Sequence, residues 1–479
     1  MPRTTRNRPS RHGLLAPWAC FALSLTVSAT EARGQTSLHN SDMASTTATQ
    51  LAQPIELLPP VEADRGLTLE LLEQMALGSN PSVGRAAALV QAARGAALQA
   101  GLGPNPSVGY EGQQLGSGGV AEQHGVLFSQ EVVRGGKLQL SRAVADRERM
   151  RLEQELAAQE LKVLTDVRIA YYQVLLAERQ IELAEELGRI SEEGSTTVDK
   201  LFGANEVGKA DVLQAQLEVE NARILVTNAR NRYESSWRSL TAVAGNPTLA
   251  PQHLEGDAEA PTRDFNYEDT LSRVLSLSPE LASKSLEVER ARVAVQRARV
   301  EPVSNVSFQG LVNWQDNGIG GKPDGGLAVS IPLPIFNRNQ GGIARAEHEL
   351  IAARQGLSTA ELNVQSRLAQ VFEQLQNARN QVNRYRTTIL PAAQESLDLT
   401  RRVYTSGETN YTALLTAQRT YSQTNLNYFD ALRQLRIAEV QIDGLLLSGS
   451  LSSGPSDSSV PQAAPIDGSV PAGGVELFR

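Results

Sequence analysis

The stretch "NVSFQGLVNWQDNGIGGKPDGGLAVSIPLPIF", residues 305 to 336, decides how the rest of the chain is read. Val306, Phe308, Val312 and Trp314 fall on one face of a strand, and Asn305, Ser307, Gln309, Asn313 and Gln315 fall mostly on the other. After a loop of Gly, Asn, Asp and Pro, Leu327, Val329 and Ile331 resume the alternation. A two-residue period on both sides of a turn is the pattern of a β-hairpin, here with one apolar face. Pro332 and Pro334 cannot donate ladder hydrogen bonds, so the last strand should end near Ile331. Nearly everything around this hairpin reads as long helix, and no second sheet is evident to cover its apolar face.

The same arrangement occurs earlier in the chain. "NPSVGRAAALVQAARGAALQAGLGPNPSVGYEG" (80 to 112) aligns without gaps on "SPELASKSLEVERARVAVQRARVEPVSNVSFQG" (278 to 310), pairing Pro81 with Pro279, Pro104 with Pro302 and Gly112 with Gly310. Further on, Ser129 meets Ser330, Ala177 meets Ala378 and Gln216 meets Gln418, so few residues are inserted in either half. The period is too long for a solenoid and marks one duplicated half-unit. Each half predicts a short helix (68–78, 267–277), a helix after "NP" or "SP" (81–102, 279–300), a proline corner and a hairpin. The first hairpin is expected near 106–114 and 120–132, with Val120, Val126, Phe128 and Val132 sharing a face.

A long helix follows each hairpin, about 137–201 and 340–405, then a tip loop and a returning helix, 209–245 and 411–446. At 1.5 Å per residue the long helices span on the order of 100 Å. Pro391 should kink or interrupt the second of them roughly four turns before its tip. Seams of seven-residue period run along these helices: Leu156, Glu160, Val163, Val167, Ala170, Val174, Ala177, Ile181 and Ala184, and again Leu357, Glu361, Val364, Leu368, Val371, Leu375, Ala378, Val382 and Tyr385. The returning helices keep the rhythm through Val219, Ala222, Val226, Ala229, Tyr233, Leu240 and Val243, and through Tyr421, Thr424, Tyr428, Ala431, Leu435, Ala438, Ile442 and Leu445. Such seams specify helices packed lengthwise as coiled coils. Glu160 and Glu361 interrupt them at equivalent places and are expected to reach water.

Composition agrees. Of 479 residues 41% are hydrophobic but only 5% aromatic, which suits Ala- and Gln-rich helical seams better than a thick core. Residues 1–34 have the form of an export signal: Arg3, Arg6, Arg8 and Arg11 precede an apolar run with small-residue cleavage sites near Ala29, Ala32 or Gly34. Removing them takes 45 basic and 53 acidic residues to 40 and 52, a net charge of −12 that disfavours nucleic-acid binding. The one cysteine, Cys20, lies within that signal, in a context that fits lipidation poorly. The expected organisation is signal (1–34), extended segment (35–65), first repeat (66–250), linker (251–266), second repeat (267–447) and a loosely held C-terminal tail (448–479).

Two hairpins give four strands of bilayer-crossing length. Four strands cannot close, and an open sheet edge is forbidden in lipid. Several chains would therefore share one barrel, eight strands from two copies or twelve from three. The alternative is a hairpin that caps a helical bundle in water.

Together the "NP" helices, proline corners, strand pairs, "QEVVRGGK", "IPLPIFNRNQGGIARAE", "ADVLQAQ" and "TALLTAQ" resemble the TolC-type outer-membrane factors, over about residues 66 to 447. "IPLPIFNRNQG" is most similar to the branch serving cobalt–zinc–cadmium-type cation pumps. The resemblance implies a mainly α fold with a small β part, three chains forming a twelve-stranded barrel on a periplasmic α-helical barrel. It implies a passive duct in the outer membrane of a Gram-negative cell, serving a periplasmic adaptor and an inner-membrane pump of the resistance-nodulation-division type. Drug export and protein secretion remain alternatives to metal export, and a soluble exported coiled-coil scaffold is the competing class.

The resemblance also implies that the helix tips meet the adaptor or constrict the channel. Those tips hold Phe202, Gly203, Val207, Gly208 and Asp211, and Tyr404, Gly407, Thr409, Leu414 and Leu415. Some relatives carry two aspartates after the second tip; here Ala413 and Thr416 stand there. Asp211, the first-repeat counterpart of Ala413, could form a carboxylate ring, or could simply stabilise its helix N-terminus. The tip glycines have a sufficient reason in turns that need positive φ. Val306, Phe308, Val312, Trp314, Leu327, Val329 and Ile331 are the expected lipid-facing residues. The histidines, at 12, 39, 124, 253 and 348, show no metal-ligand spacing, and no catalytic constellation or cofactor fingerprint is present. Neither a cofactor nor a resident metal is expected.

Overall fold

The computed structural model describes residues 67–115, 121–316 and 323–452. The expected signal, the extended segment, Val120, much of both hairpin loops and the tail from 453 lie outside these residues. The first half runs α1 (Leu69–Ser79), α2 (Pro81–Ala100), β1 (Ser107–Leu115), β2 (Ala121–Val132), α3 (Lys137–Gly203) and α4 (Lys209–Val243). The second repeats that order with α5 (Tyr267–Leu277), α6 (Pro279–Val300), β3 (Val306–Asp316), β4 (Asp324–Ser330), α7 (Gln340–Arg384), α8 (Leu390–Thr405) and α9 (Tyr411–Asp443).

Local chemistry sets these limits. Asn80 caps α2 by accepting from Ser82 N at 2.9 Å, and Pro81 at the first turn loses no helical hydrogen bond. Asn266 caps α5 in the same way, accepting from Glu268 N at 2.8 Å. β4 stops at Ser330, where the prolines begin. The interruption expected at Pro391 is a π-helical turn, Tyr385–Ile389, inserted between α7 and α8. Proline lacks the N–H that would continue the α ladder, and the wider turn takes up the mismatch. The first repeat has no such proline, and α3 runs unbroken for 67 residues.

Every seam position read from the heptad spacing is buried or half-buried, including Glu160 and Glu361 at the half-buried level. The central core also takes in Tyr171, Leu175, Leu176 and Trp237, which the seven-residue pattern passes over. Trp237 donates from Nε1 to Leu249 O at 3.0 Å, pinning the chain after α4. Arg436 clamps the linker: Nε donates to Ala258 O at 2.8 Å, Nη1 bonds Glu439 Oε2 at 2.7 Å, and the guanidinium lies 5.7 Å from the Tyr172 ring centre. A buried arginine is tolerable only because its donors are met in this way.

The expected loose tail needs one correction. Its first residues are tied to α3: Gly449 N and Ser450 N donate to the Asp166 carboxylate at 2.9 and 2.6 Å, and Gln159 Nε2 donates to Ser450 O at 3.1 Å. Charge-assisted bonds to backbone N–H groups hold this end where composition alone suggested looseness.

Candidate functional site: the sheet face and the helix tips

The strands form one antiparallel sheet in the order β1-β2-β3-β4. Val108 pairs with Phe128, Tyr110 with Val126, Val126 with Val312, Val132 with Val306, and Phe308 with Val329. Partners in register share a face, so these side chains form one continuous apolar surface. Phe308, Val312, Trp314, Leu327, Val329 and Ile331 are all exposed on the single chain, and Val306 is half-buried. The opposite face carries Ser107, Ser129, Gln309 and Asn313, with the Ser107 and Ser129 hydroxyls 2.7 Å apart and Asn313 Nδ2 donating to Asp324 Oδ1 at 2.9 Å.

The register slips between His124 and Gly125, which pair with Gln315 and Asn313, leaving Trp314 unpaired as a bulge. Gly125 is required here, since a Cβ would lie 2.2 Å from Asn313 Oδ1 and 3.1 Å from Val312 O. Tyr110 Oη is hydrogen-bonded to His124 Nδ1 nearby. Sequence alternation identifies the apolar face but not this slip. Among the described residues of a single chain, β1 and β4 each keep an unpaired edge.

At the other end the two tips turn alike. Ala204, Asn205 and Glu206 donate to the carbonyls of Lys200, Phe202 and Leu201; Ser406, Gly407 and Glu408 donate to those of Arg402, Tyr404 and Val403. The residue with positive φ is Asn205 (65°) in the first tip and Gly407 (77°) in the second. Gly203 and Gly208 therefore do not serve the positive φ expected of tip glycines; the second-repeat glycine does, and asparagine tolerates the same conformation.

The caps after the turns differ. Gly208 N donates to Asp211 Oδ2 at 3.1 Å, whereas Ala413 N donates to Asn410 Oδ1 at 3.0 Å. Each tip keeps one half of a capping box. A cap side chain is present where the third-position carboxylate is missing, so Ala413 leaves its helix end capped.

The surfaces of the tips differ too. Phe202 is exposed, with Lys209 Nζ 5.7 Å from its ring centre. At the matching positions Tyr404 and Tyr411 are buried, their rings 5.9 Å apart. They join Val198, Val212, Ala215, Leu397, Leu414 and Leu415 in an apolar cluster, with Val207 packed against it. Of the tip residues named from sequence, Phe202, Gly203, Gly208 and Gly407 are exposed, Asp211 and Thr409 are half-buried, and Tyr404, Leu414 and Leu415 face inward. Burial pushes the Tyr411 hydroxyl up to about 12, with the Glu218 carboxylate adding to it, and raises Tyr404, helped by Asp211. Among the described residues Tyr404 Oη, which is buried, has no hydrogen-bond partner. Arg401–Glu193 at 2.6 Å and Arg419–Glu218 at 2.9 Å tie the two hairpins together just above.

Among the described residues no helix is long and apolar enough to cross a membrane, and no group of three or more His, Cys, Asp or Glu side chains is placed to hold a metal ion.

The family model for outer membrane efflux proteins matches residues 72–246 and again 270–446, the two halves described above. The chain is 27% identical over 392 residues to the cobalt-zinc-cadmium resistance protein CzcC of Cupriavidus metallidurans, covering 81% of this chain and 91% of that one. It is 23% identical over 311 residues to the alkaline protease secretion protein AprF of Pseudomonas aeruginosa, covering 62% and 63%. Among solved structures, CusC, a transmembrane channel, superposes with a TM-score of 0.65 at 19% identity over 80% of this chain and 92% of that chain. The fold is that of the outer-membrane channels, in which an α-helical barrel continues a β-barrel built by three chains. The duplicated hairpins, the long helices and the twofold match agree: this chain belongs to the outer membrane efflux protein family.

Proposed function

We propose that the chain is the exit duct of a tripartite efflux system and that its cargo is heavy-metal cations. Three copies would close a twelve-stranded barrel, each strand set presenting its apolar face to lipid. The observation that carries this reading is a four-stranded sheet with one continuous apolar face and two unpaired edges, since such edges persist in a bilayer only when another chain pairs them. Energy would come from an inner-membrane pump through a periplasmic adaptor, and the duct itself would be passive rather than enzymatic. The exposed tip residues Phe202, Gly203, Gly208 and Gly407, with half-buried Asp211 and Thr409, would meet the adaptor or line the entrance. Buried Tyr404, Leu414 and Leu415 would hold those tips in shape.

The metal assignment rests on the similarity to CzcC along most of both chains. The test is cell-associated cobalt, zinc and cadmium in a strain lacking the chain and in the same strain complemented. Metal that accumulates on deletion and falls on complementation supports the assignment; unchanged levels of all three contradict it. The similarity to AprF favours a second reading, a protein secretion duct, in which deletion would retain an exported protein instead.

A further inference from the structure

The segment after β4 lies outside the sheet ladder, yet its apolar side chains are as exposed as those of the sheet face itself, and Phe336 more so. Leu333 is 75% exposed, Ile335 61% and Phe336 91%. The outward series of β4, Leu327 and Val329, continues in the sequence as Ile331, Leu333 and Ile335, with prolines at 332 and 334 between them. Large apolar side chains set in water this way are a standing cost unless something covers them.

Part of the segment's backbone is satisfied from within the protein. Pro332 and Pro334 have no N–H to leave unpaired. Ser304 Oγ donates to Pro332 O, Ile335 N to Leu333 O at 2.9 Å, and Gln340 Nε2 to Phe336 O at 3.1 Å. Irregular backbone beside hydrocarbon is tolerated only when its polar groups are met from within the protein. Cations follow at the same level. Arg338 comes two residues after Phe336, and Arg134 two residues after Val132, its N–H bonded to Asn305 Oδ1 at 3.3 Å. Both arginines are exposed, and among the described residues neither has a carboxylate partner.

We infer that Ile331–Phe336 forms a collar at the boundary between acyl chains and headgroups in the inner leaflet of the outer membrane, with Arg134 and Arg338 reaching the phospholipid phosphates. Apolar bodies inserted beside cations that extend to the headgroups are the arrangement an interface selects. The inference rests on the lipid-facing reading of the sheet. It adds that the membrane contact extends beyond the strands, onto the junction with the helices.

With Cys20 in the expected signal, the processed chain offers no native thiol, so single cysteines can be labelled with a nitroxide. Phe336→Cys, Leu327→Cys and Gly203→Cys would be compared in the full processed protein, reconstituted in phosphatidylcholine vesicles containing phosphatidylglycerol. The readout is accessibility to oxygen, which partitions into lipid, against a water-soluble nickel chelate. At 336 the oxygen-to-nickel ratio is expected several-fold above that at the tip position 203 and below that at 327. A nickel-dominated signal at 336 with a lipid signal at 327 overturns the collar alone. Low access to both reagents at 336 also overturns it, by showing that another copy of the chain covers the site. A nickel-dominated signal at 327 overturns the lipid-facing reading beneath it. For the arginines, the preference of the protein for spin-labelled phosphatidylglycerol over phosphatidylcholine should fall several-fold in an Arg134→Gln/Arg338→Gln variant; an unchanged preference overturns their assignment.

Discussion

The two helix tips are copies that have diverged in what they bury. Their turns share the same three backbone hydrogen bonds, yet Phe202 and Lys209 stand in water where Tyr404 and Tyr411 are packed away. Leu213, two residues before Ala215, is 51% exposed, while Leu415, its counterpart two residues before Ala417, is 1% exposed. The turn geometry has been kept while the faces have been redistributed. The second tip is the inner support of the pair, and the first presents more of its side chains outward.

The largest difference should come from those two leucines. Leu415→Ala removes a fully enclosed side chain and should lower the local stability of the tips by about 3 kcal/mol, whereas Leu213→Ala should change it by less than about 0.5 kcal/mol. Hydrogen exchange of tip amides reads both, and equal effects would erase the distinction between the tips.

Pro391 is the next lever. Pro391→Ala restores the missing N–H and should relax Tyr385–Ile389 toward α-helix, making the second repeat continuous like α3, with a gain of about 2 kcal/mol. A structure of the variant that kept the π-helical turn would show that packing, not proline, sets it.

The caps offer an exchange worth less. Asp211→Ala and Asn410→Ala should each cost about 1 kcal/mol, and Gly208→Asn in the Asp211→Ala background should restore most of the loss by giving the first tip the second tip's cap. Thermal unfolding of the three variants checks it; failure of the exchange would give Asp211 a role beyond its cap.

The smallest effect is confined to alkaline pH. Tyr411 holds its proton more tightly folded, at about 12, than unfolded, at about 10. Its contribution is complete below pH 10 and is lost as pH rises through 12. Tyr411→Phe should flatten that decline in tip stability while leaving neutral pH nearly unchanged; an undiminished decline would assign it to another group.

The duplication, the element order, the hairpins and the apolar sheet face were legible in the sequence because each rests on a local period or a proline. The long seams were legible too, since heptad spacing reports directly on burial. The Trp314 bulge was not, because a one-residue register slip leaves alternation on either side intact. Leu213 and Leu415 could not be told apart either. They occupy matching positions, and only the packing of one hairpin against the other decides which is enclosed. The anchoring of Gly449 and Ser450 depends on Asp166, far away in the chain, and composition carries no trace of it.

The central claim is that four strands per chain become a closed barrel by sharing among three chains. The direct test is the protein mass of the processed chain extracted from the outer membrane in mild detergent, measured by light scattering with the detergent contribution separated. A particle of three chains is the expected result. A monomer or a dimer would leave twelve strands unassembled and would contradict the account.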